Sequence, residues 1–151
     1  MNYRKKIIFL YLVPMARLVL GIVFLYASYD KILHPAAFAA SVYNYHILPD
    51  IFINITAIVL PWLELALGGF LVMGIWLEGS VVMSSLLLIL FMGAMLFNMA
   101  RGLNIHCGCF SAASQGTMDI WTVLRDFAFF FVSLFLTIAL FWRKAYDHGN
   151  H

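Results

Sequence analysis

The sequence is short of charge, of cysteine and of anything that would separate domains. Charged residues make up 11% of its 151 positions, against about a quarter in a soluble globular domain. That scarcity excludes an ordinary water-soluble fold. The formal net charge of +2 is too small for the basic surface that nucleic-acid binding requires. Only two cysteines and four prolines occur, which excludes a disulfide scaffold and a proline-rich linker. There is no repeat and no low-complexity tract, and a second, soluble domain has no room. The expectation is one transmembrane domain over residues 1–151.

What fills the chain is apolar: 64% of residues, with a mean hydropathy of +0.95. The fold class this predicts is all-α, an integral membrane four-helix bundle. Arg4-Lys5-Lys6 resembles the start of a signal peptide. The apolar run after it continues through Tyr29, beyond the roughly 7–15 residues of a cleavable signal, so an uncleaved anchor is expected. Pro14 suits a first helical turn, and a span is placed over about 15–33, close to the ~20 residues a bilayer needs. His34-Pro35 ends it, because a residue before proline avoids the α region. Residues 35–49 are too short and mixed to span and predict a short interfacial helix. Further spans are placed at about 51–76, 80–100 and 118–142, with Glu78-Gly79 as the turn between the second and third. Both termini then share the side richer in Lys and Arg, which is cytoplasmic by the positive-inside rule.

Polar and small residues recur along each span at alternating steps of three and four: Arg17, Gly21, Phe24, Ser28 and Lys31; Asn54, Ala57, Pro61, Glu64 and Gly68; Ser84, Leu87, Phe91, Ala94, Asn98 and Arg101; Thr122, Asp126, Phe129 and Ser133. That spacing is one helix face, and in membranes such faces pack inward on small residues and interhelical hydrogen bonds. A charge at a span centre costs about 2.5–3.5 kcal/mol on insertion scales, so Glu64 should face the interior and meet a basic side chain of another span. Counting depth along the helices nominates Arg125.

Both cysteines fall between the third and fourth spans, in His106-Cys107-Gly108-Cys109. Two thiols at i and i+2 can close a small, strained ring if Gly108 turns the backbone. Strained disulfides are the exchange-prone ones, and His106 and Arg101 could stabilise a thiolate. Three readings stand. The pair could exchange electrons with an extracytoplasmic thioredoxin-like protein; it could stiffen a loop on which a partner enzyme or larger membrane complex docks; or His106, Cys107 and Cys109 could carry a metal, given a fourth ligand. In the first reading Cys107, Cys109, Glu64, Arg101, Arg125 and Asp126 form the catalytic set. Glu64 and Asp126 would accept protons, and Lys31 and Asn98 would line a place for a quinone headgroup.

Several stretches together resemble the MauE/DoxX family, on its MauE side: Arg17 to Gly21, Ser28 to Ile32 with His34-Pro35 and Phe38, Tyr45, Leu48-Pro49, Pro61 to Glu64, Arg101 to Leu103, Cys107 to Phe110, and Arg125-Asp126. The resemblance runs in order over nearly the whole chain. It implies a four-helix membrane protein associated with periplasmic thioredoxin-like proteins and with maturation of disulfide-containing enzymes of methylamine utilisation. No fused thioredoxin domain is expected. Nor does the chain carry the second cysteine pair of quinone-linked disulfide-forming membrane enzymes.

Overall fold

The computed structural model describes residues 11–46, 49–101 and 120–148, with side chains of the last helix described over 124–142. It is all-helical over these residues. In chain order the helices are α1 (Val13–Leu33), α2 (Pro35–Asn44), α3 (Asp50–Met73), α4 (Leu77–Ala100) and α5 (Ile120–His148). Four are long and apolar enough to cross a membrane: α1, α3, α4, and α5 over Leu124–Trp142. Residues 102–119, which carry Cys107 and Cys109, lie outside the described residues.

The helix ends follow local chemistry. Pro14 falls in the first turn of α1, where a missing N–H costs nothing. His34 caps α1 and precedes Pro35, which opens α2. The turn between α3 and α4 is a correction to the sequence reading. It is made by Gly74, Ile75 and Trp76, and Glu78 and Gly79 already lie in the first turn of α4. Gly74 ends α3 in the left-handed region at φ 75°, and its N–H bonds the Phe70 carbonyl at 2.8 Å. An αL glycine after the last helical residue is the commonest way to close a helix; the local signal was Gly74, one turn earlier than expected.

The expected seams face inward except at Asn54 and at Arg101, which caps the end of α4 and is exposed. Gly21, Phe24, Ser28 and Lys31 of α1 are buried, as are Ala57, Pro61, Glu64 and Gly68 of α3, Ser84, Leu87 and Asn98 of α4, and Asp126 and Ser133 of α5. Asn54, in the first turns of α3, is exposed. Toward the Gly74 turn the interior is apolar: Leu20, Leu67, Leu71, Val81 and Leu136 form one buried cluster with Phe24 and Leu87. Beside it Ser85 of α4 meets Ser133 and Thr137 of α5 at 2.6 and 3.0 Å.

α1 and α3 approach closely at two glycines. A Cβ on Gly68 would stand 3.0 Å from the Gly21 carbonyl oxygen, and one on Gly21 would stand 3.1 Å from that of Gly68. Backbone meets backbone, so neither side can yield by rotating a side chain. Gly68→Ala is expected to lower stability by about 1–3 kcal/mol, the usual cost of overpacking. Gly93→Ala, where a Cβ would meet nothing within 4 Å, is the control. Melting of the purified variants in detergent checks both.

Candidate functional site: a buried lysine–glutamate pair

Lys31 lies in the last turn of α1, and Glu64 lies about 14 Å along α3 from its Met73 end by the ~1.5 Å rise per residue. Their backbones are at different depths, yet the Lys31 ammonium donates to both Glu64 carboxylate oxygens, at 2.6 and 2.7 Å. The direction of helical side chains explains the meeting. Each Cα–Cβ bond tilts toward its own helix N-terminus. α1 and α3 run oppositely, so Lys31 leans down into the bundle and Glu64 leans up. Both are sealed in, at 1% and 2% exposure. Two rings complete the enclosure: Phe38 of α2 and Phe91 of α4, with centroids 5.1 and 4.9 Å from Nζ. Those distances are within cation–π range.

Arg125 is not the partner of Glu64, contrary to the depth count. Its guanidinium lies 3.4 Å from the carboxylate of its own neighbour, Asp126, and its side chain is 41% exposed. On α5 it leans toward the Ile120 end, away from Glu64. Asp126 is buried, and its charge acts on Lys31, as does that of Asp30. Arg101, at the C-cap of α4, is exposed, with its guanidinium 5.5 Å from the Phe97 ring. Asn98 is fully buried; its amide donates to the Ala94 carbonyl at 3.0 Å, and its Oδ1 meets no partner among the described residues. The expected set therefore splits. Lys31, Glu64 and Asp126 come together in the bundle, Arg125 joins them from its edge, and Arg101 caps the rim.

One group was missed. Tyr45, in the turn after α2, is half-buried, and burial together with the negative charge of Asp126 pushes its phenol up to about 12. Its sequence signal was a tyrosine beside the short interfacial helix.

Glu64 and Asp126 border a cavity of about 30 Å³, together with Val23, Phe24 and Ala27 of α1 and Leu88, Phe91 and Met92 of α4. That is room for one or two waters. A quinone ring does not fit there without displacing side chains.

The fold and site define a class: a multi-pass helical membrane protein built round a buried ion pair, with a small, largely apolar cavity bordered by two carboxyl side chains. Within it, residues 8–142 match the family model described as methylamine utilisation protein MauE, and the chain belongs to that family. It is 32% identical over 111 residues to the methylamine utilization protein MauE of Paracoccus denitrificans, covering 73% of this chain and 60% of that one. Against the protein of the same name from Methylorubrum extorquens it is 35% identical over 85 residues, 56% of this chain and 46% of the relative. The chain thus spans less than two thirds of either relative's length. No solved structure matches it significantly.

Two outcomes follow. Lys31→Met or Glu64→Leu should each cost about 3–5 kcal/mol, because the surviving charge is left buried and unpaired. The double replacement Lys31→Met/Glu64→Leu should recover most of the loss, while Arg125→Gln should cost less than either single change at the pair. Melting in detergent, read as a double-mutant cycle, checks the set. For Tyr45, the folded phenol holds its proton above the free value of about 10. Its contribution to stability is whole below about pH 10 and is lost as pH rises toward 12. Phenolate absorbance should show a late-titrating component in the wild type that Tyr45→Phe removes.

Proposed function

We propose that this protein is a membrane accessory factor of methylamine utilisation that performs thiol–disulfide exchange through Cys107 and Cys109. The observation that carries this reading is the confinement of both cysteines to one Cys-Gly-Cys between α4 and α5. The ionisable groups Asp30, Lys31, Arg101, Arg125 and Asp126 lie toward that same end of the bundle. With the Lys- and Arg-rich termini cytoplasmic, that end faces outward across the plasma membrane, where disulfides persist.

The partner is an extracytoplasmic thioredoxin-like protein or a client enzyme. One thiolate of the pair attacks a sulfur of the partner's disulfide, forming a mixed disulfide and releasing a partner thiolate. The second cysteine attacks the mixed disulfide and releases the other partner thiolate. Two electrons pass to the partner, the Cys107–Cys109 disulfide forms, and two protons move from the pair to the partner thiols through solvent or a local acceptor. Run backward, the same steps oxidise the partner. In this reading Glu64 and Asp126 accept protons released by the pair, and Arg101 favours the thiolate.

Cys107→Ser and Cys109→Ser should each abolish net oxidation or reduction of the partner while the protein still inserts, measured by alkylating the partner's free thiols in membranes. Normal partner oxidation by the double serine variant contradicts the proposal. A stable, unreactive disulfide in thiol titration supports the docking role instead. Stoichiometric metal that a chelator removes supports a carrier on His106, Cys107 and Cys109.

A further inference from the structure

The buried charges are not placed symmetrically along the bundle. From Lys31 the ionisable groups become progressively more exposed in one direction only. Lys31 and Glu64 are sealed, Asp126 is nearly so, the Asp30 side chain is 20% exposed, and those of Arg125 and His34 are 41% and 47% exposed. Tyr45 adds a protonated phenol at the same end. Asn98 lies two turns beyond Phe91 on the same face of α4, and its buried Oδ1 lacks a partner among the described residues. A buried acceptor in that condition is where ordered water belongs.

Toward the Gly74 turn the order is reversed. Leu20, Leu71, Val81 and Leu136, from all four spans, close the axis at 0–1% exposure. The hydroxyls there offer no route. Ser85 donates to the Val81 carbonyl at 2.8 Å and Thr137 to that of Ser133 at 2.9 Å, so their protons are spent on backbone. Ser84 Oγ has no partner among the described residues, but a lone hydroxyl supplies one contact to a water that needs two to four. Among the described residues the next ionisable group in that direction is Arg17, near the far end of α1, against the Gly74 turn.

We infer that the cavity between Glu64 and Asp126 is a one-sided chamber, exchanging water and protons with the face that carries His34 and Arg101 and sealed from the face that carries Gly74 to Trp76. The inference shares with the proposed function only the assignment of the two carboxylates as proton acceptors. It requires no activity of the thiols. A site open to one face can supply or take protons for chemistry on that side, and it cannot pass them across the membrane.

The test uses full-length protein with Cys107→Ser and Cys109→Ser, in sealed vesicles of either orientation. Single cysteines are introduced as Met92→Cys in the cavity, Val81→Cys in the apolar seal, His34→Cys on one face and Trp76→Cys on the other. Silver ion, a water-sized probe for thiols, is added outside, and thiols left unprotected are alkylated after denaturation. Met92→Cys is expected to be protected in the vesicles that protect His34→Cys and not in those that protect Trp76→Cys. Val81→Cys is expected to be protected in neither. Ala27→Cys, also in the cavity wall, stands in if Met92→Cys fails to insert. Protection of the cavity thiol from the Trp76 face, from both faces or from neither overturns the inference.

Discussion

The interaction on which the rest depends is the Lys31–Glu64 pair. Neither charge is tolerable alone at that depth, and taking both out of water is costly even when they meet. The surrounding structure is what makes the pairing workable. Lys31 finds two carboxylate oxygens and two ring faces, drawn from α2, α3 and α4. The pair therefore ties the end of α1 to the middle of α3 and draws in the short helix, which a bundle of apolar spans alone would not require. The Gly21–Gly68 crossing sits below it on the same two helices and brings their backbones close enough for the side chains to reach.

Much of this was legible in the sequence, for identifiable reasons. Long apolar runs fixed the number of spans, and His34-Pro35 fixed the first boundary. The three-and-four spacing selected the inward faces because insertion energetics leave polar side chains few other places. Asn54 departs from that face because it lies in the first turns of α3, where the chain has reached the polar end. The partner of Glu64 was not legible from depth alone. Counting rise per residue locates Cα atoms, whereas opposed helices lean their side chains toward one another or apart by several ångströms. Tyr45 was hidden for a related reason: its proximity to Asp126 depends on how α2 folds back, which no periodicity encodes. The Gly74 turn was misplaced because Glu78-Gly79 carries an equally strong turn composition one step later.

The arrangement bears on what a small membrane protein of the MauE family can do. An apolar seal on one side and a graded run of ionisable groups on the other suit chemistry confined to a single face. A cavity that takes only water suits proton handling rather than a bulky cofactor. The role proposed for the cysteine pair is consistent with both features, because thiol–disulfide exchange moves protons with its electrons and happens at the membrane surface.

The central claim is that Lys31 and Glu64 form a direct, buried pair in the bilayer. Solid-state NMR of protein labelled with ¹⁵N at lysine side chains and ¹³C at glutamate side chains measures it most directly. The account predicts a strong dipolar coupling between a lysine Nζ and a glutamate Cδ that disappears in Lys31→Met and in Glu64→Gln alike. The absence of that coupling in the wild type, or its survival in either variant, would contradict the account.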